Sequence, residues 1–475
     1  MADFQDNAPV NIVAYHFLPS PEVGAKRMTA LAKGLRNIGQ RVVVFSAFEG
    51  MDALSPNDSR KEFLRDLEIE RVPDPPSAVI GALVYAKQSL KNWRRVARGP
   101  TPPVEGGAGL NPVNAPPARR WTPRKLFFDI VHVVDDKKRW SFRMACRSYW
   151  TSRRRVPRVI IVSGPPMSSL IGATVAARVL GVPLVVDLRD PIVAENELVV
   201  AGEGVPNQWG RRTLERFALS GASAVVTTSP TLRSRLSTRY PRLEQRIKCI
   251  YNGFDEVPMA TSPETGNRLV IVYAGALYLN RNPFPFLQAL DDLLQGPNVA
   301  PDRIQVLFVG DCARYRDVLL ADWLRGRRCE EIVTIRGPIS ADELRDVYRN
   351  ATLLLNFAEG QRMQVPAKTF ELLAQGRELM FFCEPTSDTA SIVEGIEGIS
   401  CVTSDGRERL QAALADIYRR HVAEGRLRSP SPSAIKRFSR AAQNEVFTEL
   451  VQMTNRPAQN PARHSAEPKN KARSQ

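Results

Sequence analysis

The chain carries two successive series of short, unbroken apolar runs, with helical spacing between one run and the next. Runs that are apolar at consecutive positions fit strands covered on both faces. Strands covered in that way belong to parallel sheets flanked by helices. The first series opens with NIVAYHF (11–17), the loop PSPEVGAKR, the helical MTALAKGLRNIG (28–39) and RVVVFSA (41–47). It resumes with RVIIVSG (158–164), SSLIGATVAARVLG (168–181), PLVVDLRDP (183–191), RRTLERFALSG (211–221), SAVVTTS (223–229), TLRSRLSTRY and RIKCIYNG (246–253). The polar stretch TSPETGN (261–267) separates it from a second series: RLVIVYAGAL (268–277), IQVLFVGD (304–311), IVTIRGP (332–338), TLLLNFA (352–358) and LMFFCEP (379–385). The reading is α/β, with two parallel sheets joined near 255–267. A length of 475 residues suits two cores, and 43% hydrophobic residues are enough to fill them.

Other classes are disfavoured. No run reaches the roughly 18 uncharged apolar residues of a transmembrane helix. The start MADFQDNAPV lacks the basic and apolar regions of a secretory signal. The six cysteines are scattered without a CxxC pair, and the four histidines form no cluster. That pattern fits reduced thiols in a cytoplasmic protein and argues against a metal site. Net charge is +16, and 87–158 holds 18 Lys/Arg against 4 Asp/Glu. Such a footprint points to an acidic partner or to a solvated basic surface. Within it, GPTPPVEGGAGLNPVNAPPA (99–118) reads as an irregular insertion, and KRWSFRMACRSYW as a helix.

Open parallel sheets bind ligands at the carboxyl ends of their strands. Several chemically distinctive residues fall at such ends. Gly24 follows the first run, where a glycine lets backbone N–H groups approach a ligand. Arg189 and Asp190 end PLVVDLRD, either as a local ion pair or as a substrate contact. Asn252-Gly253 marks a turn where the first series stops. Arg281 follows YAGALYLN, and an arginine there suits a phosphate. Lys368 and Glu371 open the helix in VPAKTFELLAQG (365–376). A helix start favours an anion, and Lys368 adds a full positive charge. Glu371 reads either as a carboxylate complementing the helix dipole or as an acceptor for hydroxyls.

Taken together, FLPSPEVGAKRMTALAKGL, SGPPMSSLIGATVAARVLGVPLVVDLRDP, SPTLRSRL…IYNGFD, YAGALYLNRNP and VPAKTFELLAQG resemble the nucleotide-sugar glycosyltransferases of the GT-B fold, in the family 4-like retaining group. The resemblance covers about 10–50 and 158–452, and VDDKKRW (134–140) is similar to a degraded Pro-Asp…Trp segment of that group. It implies two Rossmann-like domains with an interdomain cleft. The first, 1–255, would hold the acceptor and carry a basic insertion at about 51–157. The second, 256–430, would hold the donor. A helix at 431–453 would cross back to the first domain, and 454–475 would be a disordered basic tail.

The resemblance also implies site roles. Gly24, Gly275, Arg281, Glu359, Lys368 and Glu371 would bind a nucleoside-diphosphate sugar, with Arg281 and Lys368 on the diphosphate and Glu371 on the ribose. Arg281, Lys368 and Asp190 would carry catalysis. Asp190 is the nearest charged candidate for the catalytic histidine found in some relatives. No metal and no cofactor is expected. The family's usual glutamate pair is separated by seven residues. Here Met363 stands at the first position, and Glu359 is the nearest acid upstream. The acceptor expected is a lipid-linked or cell-surface glycan precursor, met at the inner face of a membrane. The aromatics Trp93, Trp121, Phe127, Phe128, Trp140, Phe142, Tyr149 and Trp150 would support docking there. A non-catalytic GT-B scaffold and, more remotely, a basic nucleic-acid binder stay open as alternatives.

Overall fold

Parallel strands need crossover connections, so each sheet here is a record of where the helices had to go. The computed structural model describes residues 8–20, 22–47, 63–64, 67–74, 134–193, 205–255 and 268–454. The first series becomes β1 (Val10–Ala14), α1 (Val23–Asn37), β2 (Val42–Ser46), β3 (Glu68–Arg71), α2 (Lys138–Ser152), β4 (Val159–Gly164), α3 (Ser169–Leu180), β5 (Leu184–Leu188), α4 (Val205–Ser220), β6 (Ala224–Thr227), α5 (Pro230–Arg239) and β7 (Ile247–Cys249). These strands form one seven-stranded sheet in the order β3-β2-β1-β4-β5-β6-β7. Every pairing in it is parallel. Strands β1, β2, β4 and β5 are buried at every position, as their unbroken apolar runs predict.

The second series becomes β8 (Leu269–Ala274), α6 (Phe284–Leu293), β9 (Ile304–Val309), β10 (Arg314–Tyr315), β11 (Val318–Leu319), α7 (Leu320–Leu324), β12 (Val333–Arg336), α8 (Ala341–Arg349), β13 (Leu353–Phe357), α9 (Ala367–Leu373), β14 (Glu378–Phe382), α10 (Asp388–Val393), β15 (Ile399–Val402) and α11 (Arg407–Tyr418). Six of these strands make a second parallel sheet, β12-β9-β8-β13-β14-β15. The small β10–β11 hairpin stands apart from it. Strand order reverses between β1 and β4 in the first sheet and between β8 and β13 in the second. Crevices open at the carboxyl ends of strands at such reversals, which places the site.

The terminal helix differs from its sequence reading. The periodicity predicts one helix over 432–453. The chain instead forms α12 (Pro432–Ile435), a 3-10 turn at Lys436–Phe438, and α13 (Arg440–Thr454). The interruption has a cause in long-range pairing. Ser439 is extended and bridges Phe254, and the N–H of Arg440 donates to the Phe254 carbonyl at 2.7 Å. The second crossing between the two sheets therefore lies directly beside the first. Beyond it α13 packs on α1, and Phe447, Leu450 and Val451 join the core of Val10, Ile12, Met28 and Leu31. Strands β3 and β15 have no counterpart in the sequence reading, being short and only partly apolar. The insertion at 99–118, the tail from 455 and the linker 261–267 lie outside the described residues, as do Trp93, Trp121, Phe127 and Phe128.

Candidate active site

Two glycines let the second sheet open onto the cleft. Gly275 follows β8 with φ of 154°, and a Cβ there would lie 2.9 Å from Lys368 Nζ. Gly310 follows β9 with φ of 110°, and a Cβ on it would lie 2.3 Å from the Gly275 carbonyl oxygen. Both positions are closed to side chains, so the strand ends cross closely and Lys368 reaches over them. Its ammonium nitrogen is 4.5 Å from the centre of the Tyr273 ring. Arg281 lies in the loop after β8, its guanidinium 4.3 Å over the Tyr278 ring. Lys368 Nζ and Arg281 Nε are buried and have no hydrogen-bond partner among the described residues.

Two cations packed together out of water are costly. Burial, and then the positive charge of Arg281, push the Lys368 ammonium down to about 7, while Cys312 and Glu371 pull it back upward. An anion set between them would remove that cost. Helix α9 is only seven residues long, so its start is a minor contribution beside the two side chains. The positive character of the place comes from the two side chains.

Asp190, Arg281 and Lys368 line one cleft of about 1430 Å³ that runs between the two sheets. Asp190 belongs to the loop after β5, and its Oδ1 accepts from Gln364 Nε2 at 3.0 Å, a contact that spans the cleft. Burial raises its carboxyl above the usual range, against the opposing pull of Arg189. The other predicted residues are held apart from the cleft lining. Glu371 accepts from Lys26 Nζ at 2.9 Å, so a first-domain ammonium covers its carboxylate. Glu359 is turned to Ser404, whose N–H and hydroxyl both donate to it. Met363 lines the cleft in the place read for the first glutamate. Gly24 lies against Arg189, and a Cβ would meet Nη1 at 2.3 Å. The structure thus gives this glycine a packing reason, beside any role in ligand approach.

Several cleft residues escape the sequence reading. Ser229 Oγ donates to the Met363 carbonyl at 2.7 Å, and Thr231 Oγ1 donates to Asp388 Oδ1 at 2.7 Å. Arg235 Nη1 lies 3.4 Å from Met363 Sδ. Glu384, after β14, accepts from the Gly360 N–H at 2.8 Å. A buried pair supports the first wall: Arg27 Nη2 donates to Asp187 Oδ1 at 2.8 Å, and Ser163 Oγ donates to Asp187 Oδ2 at 2.9 Å. The available signal was the polar run TTSPT after β6; the partners it meets are more than a hundred residues away in sequence. Among the described residues there is no group of three or more His, Cys, Asp or Glu placed to hold a metal ion.

Known proteins resemble this chain in sequence and in fold. Residues 24–253 match the model of the Glycosyl transferase 4-like domain. A D-inositol 3-phosphate glycosyltransferase of Paenarthrobacter aurescens (strain TC1) is 23% identical over 371 residues, 72% of this chain and 82% of the relative. The structure of HepE from Anabaena, in complex with UDP and glucose, aligns over 94% of this chain and 100% of its own at TM-score 0.52 and 15% identity. Sucrose-phosphate synthase from Thermosynechococcus elongatus aligns over 94% of this chain and 98% of its own at TM-score 0.57 and 14% identity. At such identities the structural likeness speaks to the fold, and the family model speaks to the first domain. Residues 24–253 carry a glycosyl transferase 4-like domain, and the two parallel sheets have the GT-B fold of these structures.

Proposed function

We propose that the chain transfers a hexosyl group from a nucleoside-diphosphate sugar to an acceptor, with retention and without a metal ion. The observation that carries this reading is the buried Lys368 ammonium, its pKa lowered by burial and by Arg281 on the same cleft wall. The diphosphate gains charge as the sugar leaves, and fixed cations in a dry site stabilise that charge. One such preorganised contact is worth about 2–4 kcal/mol of barrier. Gly275 leaves room for the phosphates beside Lys368. Glu371 takes the ribose hydroxyls after Lys26 releases it. Asp190 faces the same cleft from the first domain and orients the acceptor hydroxyl. Glu359 supports the loop from behind through Ser404. On this reading 1–255 is the acceptor domain and 256–430 the donor domain.

HepE was observed with UDP and glucose, which makes uridine nucleotides the first donors to try. Titration calorimetry with UDP, GDP and ADP tests the reading. Wild-type protein should bind one of them, and Lys368→Met should bind it at least tenfold more weakly. A chain that binds none of the three is a non-catalytic scaffold, the reading that Met363 at the first glutamate position favours.

The same proposal extends to location. No helix among the described residues is long and apolar enough to cross a membrane. Helix α2 nevertheless exposes Phe142 and Trp150, at 70% and 60%, over a groove of about 410 Å³ that it shares with α3. Arg153 stacks on Trp150 at 4.9 Å, and Arg154 and Arg155 follow it. Aromatics and arginines in that arrangement suit the headgroup region of an anionic leaflet, where a lipid-linked acceptor would be met.

A further inference from the structure

We propose that Glu384 is the carboxylate that receives a hydroxyl of the donor sugar, a place that neither Glu359 nor Met363 fills in this chain. The inference rests on the reading of the second domain as the donor domain. It assigns a residue that decides which sugar the cleft accepts.

The sequence offers two positions for an acidic contact in the loop between β13 and α9, and the structure takes both away. Met363 lines the cleft with a thioether, a weak acceptor without charge. Glu359 has both oxygens engaged: Oε1 accepts the Ser404 N–H at 2.7 Å, and Oε2 accepts the Ser404 hydroxyl. Its carboxylate is committed to the loop after β15.

Glu384 comes from the next strand. Strand β14 pairs with β13 from Leu353 opposite Glu378 to Phe357 opposite Phe382, and that register continued sets Glu384 level with Glu359. A turn ends the strand there, the Ser387 N–H donating to the Glu384 carbonyl at 2.9 Å. The Glu384 side chain lines the cleft. Its Oε1 accepts the Gly360 N–H at 2.8 Å, while Oε2 is shut from water and has no hydrogen-bond partner among the described residues. Gly360, at φ of 74°, packs so closely on Asn280 that a Cβ would collide with the Asn280 amide. Asn280 immediately precedes Arg281. Glu384 is thereby fixed a short chain of contacts from the guanidinium assigned to the diphosphate, on the wall where the sugar joined to that diphosphate would lie.

An unpaired carboxylate oxygen out of water is costly, and a hydroxyl donor removes the cost through a charge-assisted bond. Phosphate oxygens only accept, so they cannot serve. Glu384 therefore separates the sugar nucleotide from the free nucleotide. A site built to accept from a hydroxyl also rejects a sugar that lacks it.

The test titrates the full chain calorimetrically with UDP-glucose, UDP-N-acetylglucosamine, ADP-glucose and GDP-mannose, each beside its own nucleoside diphosphate. We expect one sugar nucleotide to bind. Glu384→Gln keeps an oxygen for the Gly360 N–H and removes the charge. It should weaken that sugar nucleotide tenfold or more while the free diphosphate changes less than twofold; a merely structural role would weaken both together. Analogues of the bound donor with fluorine in place of one sugar hydroxyl then locate the contact. At one position the replacement should weaken binding to wild type fivefold or more and cost Glu384→Gln nothing further. The assignment of Glu384 is wrong, with the donor site intact, if a diphosphate binds but no sugar nucleotide does, if Glu384→Gln weakens both alike or neither, or if no fluorinated position shows that coupling. A sugar-specific loss in Glu359→Gln with none in Glu384→Gln returns the contact to Glu359. If none of the diphosphates binds, the donor reading itself falls and takes this assignment with it.

Discussion

A lysine held near neutrality makes a sharp reporter of what fills the cleft. Lys368 has an ordinary pKa of 10.5 and is pushed to about 7 in the folded protein. Between those values the unfolded chain binds more protons than the native one, so stability rises with pH across that window. The melting temperature of the free protein should climb from pH 7 toward pH 10, and the climb should flatten in Lys368→Met. A diphosphate reverses the balance by favouring the charged ammonium. At pH 8, UDP binding should take up about one proton per site, read from calorimetry in buffers of different ionisation enthalpy. Zero uptake would remove Lys368 from the diphosphate site. The positions of Lys368 and Arg281 were legible because both follow strand ends of the second series. The partner of Glu371 was not: Lys26 is 345 residues away, and no local pattern encodes that meeting.

Elements followed their periodicity where burial was two-sided and lost it where a distant segment decided. Helix α2 emerges from KRWSFRMACRSYW with Trp140 fully buried and Phe142 and Trp150 outside, so one aromatic of that run serves the core and the others do not. The proposed docking face is tested by liposome flotation. Binding should need anionic lipid, fade with salt, and weaken when Arg153, Arg154 and Arg155 become Gln or when Phe142 and Trp150 become Ser. Equal flotation on neutral and anionic vesicles, or none on either, rejects it. The break before α13 could not be read from sequence, because it is imposed by pairing with Phe254. Helix α13 is nonetheless part of the first core. Phe447→Ala empties a fully buried site there and should cost about 3–5 kcal/mol in urea unfolding. A loss under about 1 kcal/mol would mean that α13 only rests on α1.

At the scale of the whole molecule, the two sheets are drawn together by contacts of different kinds. Asp190–Gln364, Ser229–Met363 and Thr231–Asp388 cross the seam as hydrogen bonds, and Lys26–Glu371 crosses it as a half-exposed ion pair. An exposed pair is worth about 0–1 kcal/mol, so Lys26→Met should hardly move global stability. It should instead tighten UDP binding, because it frees the carboxylate assigned to the ribose. Weaker UDP binding in Lys26→Met would show that the lysine helps to hold the nucleotide rather than competing with it.

The interlock between α13 and α1 has a consequence in time as well as space. Domains generally fold as units in the order in which they leave the ribosome. Here the first core lacks Phe447, Leu450 and Val451 until the entire second sheet has been synthesised. A nascent chain paused after Ser431 carries Met28 and Leu31 beneath an uncovered apolar groove, while the second sheet already has all its strands. That pause is the point at which a chaperone would find the most to bind and a protease the easiest entry. Release of the last helix then supplies Phe447, Leu450 and Val451 to the first core.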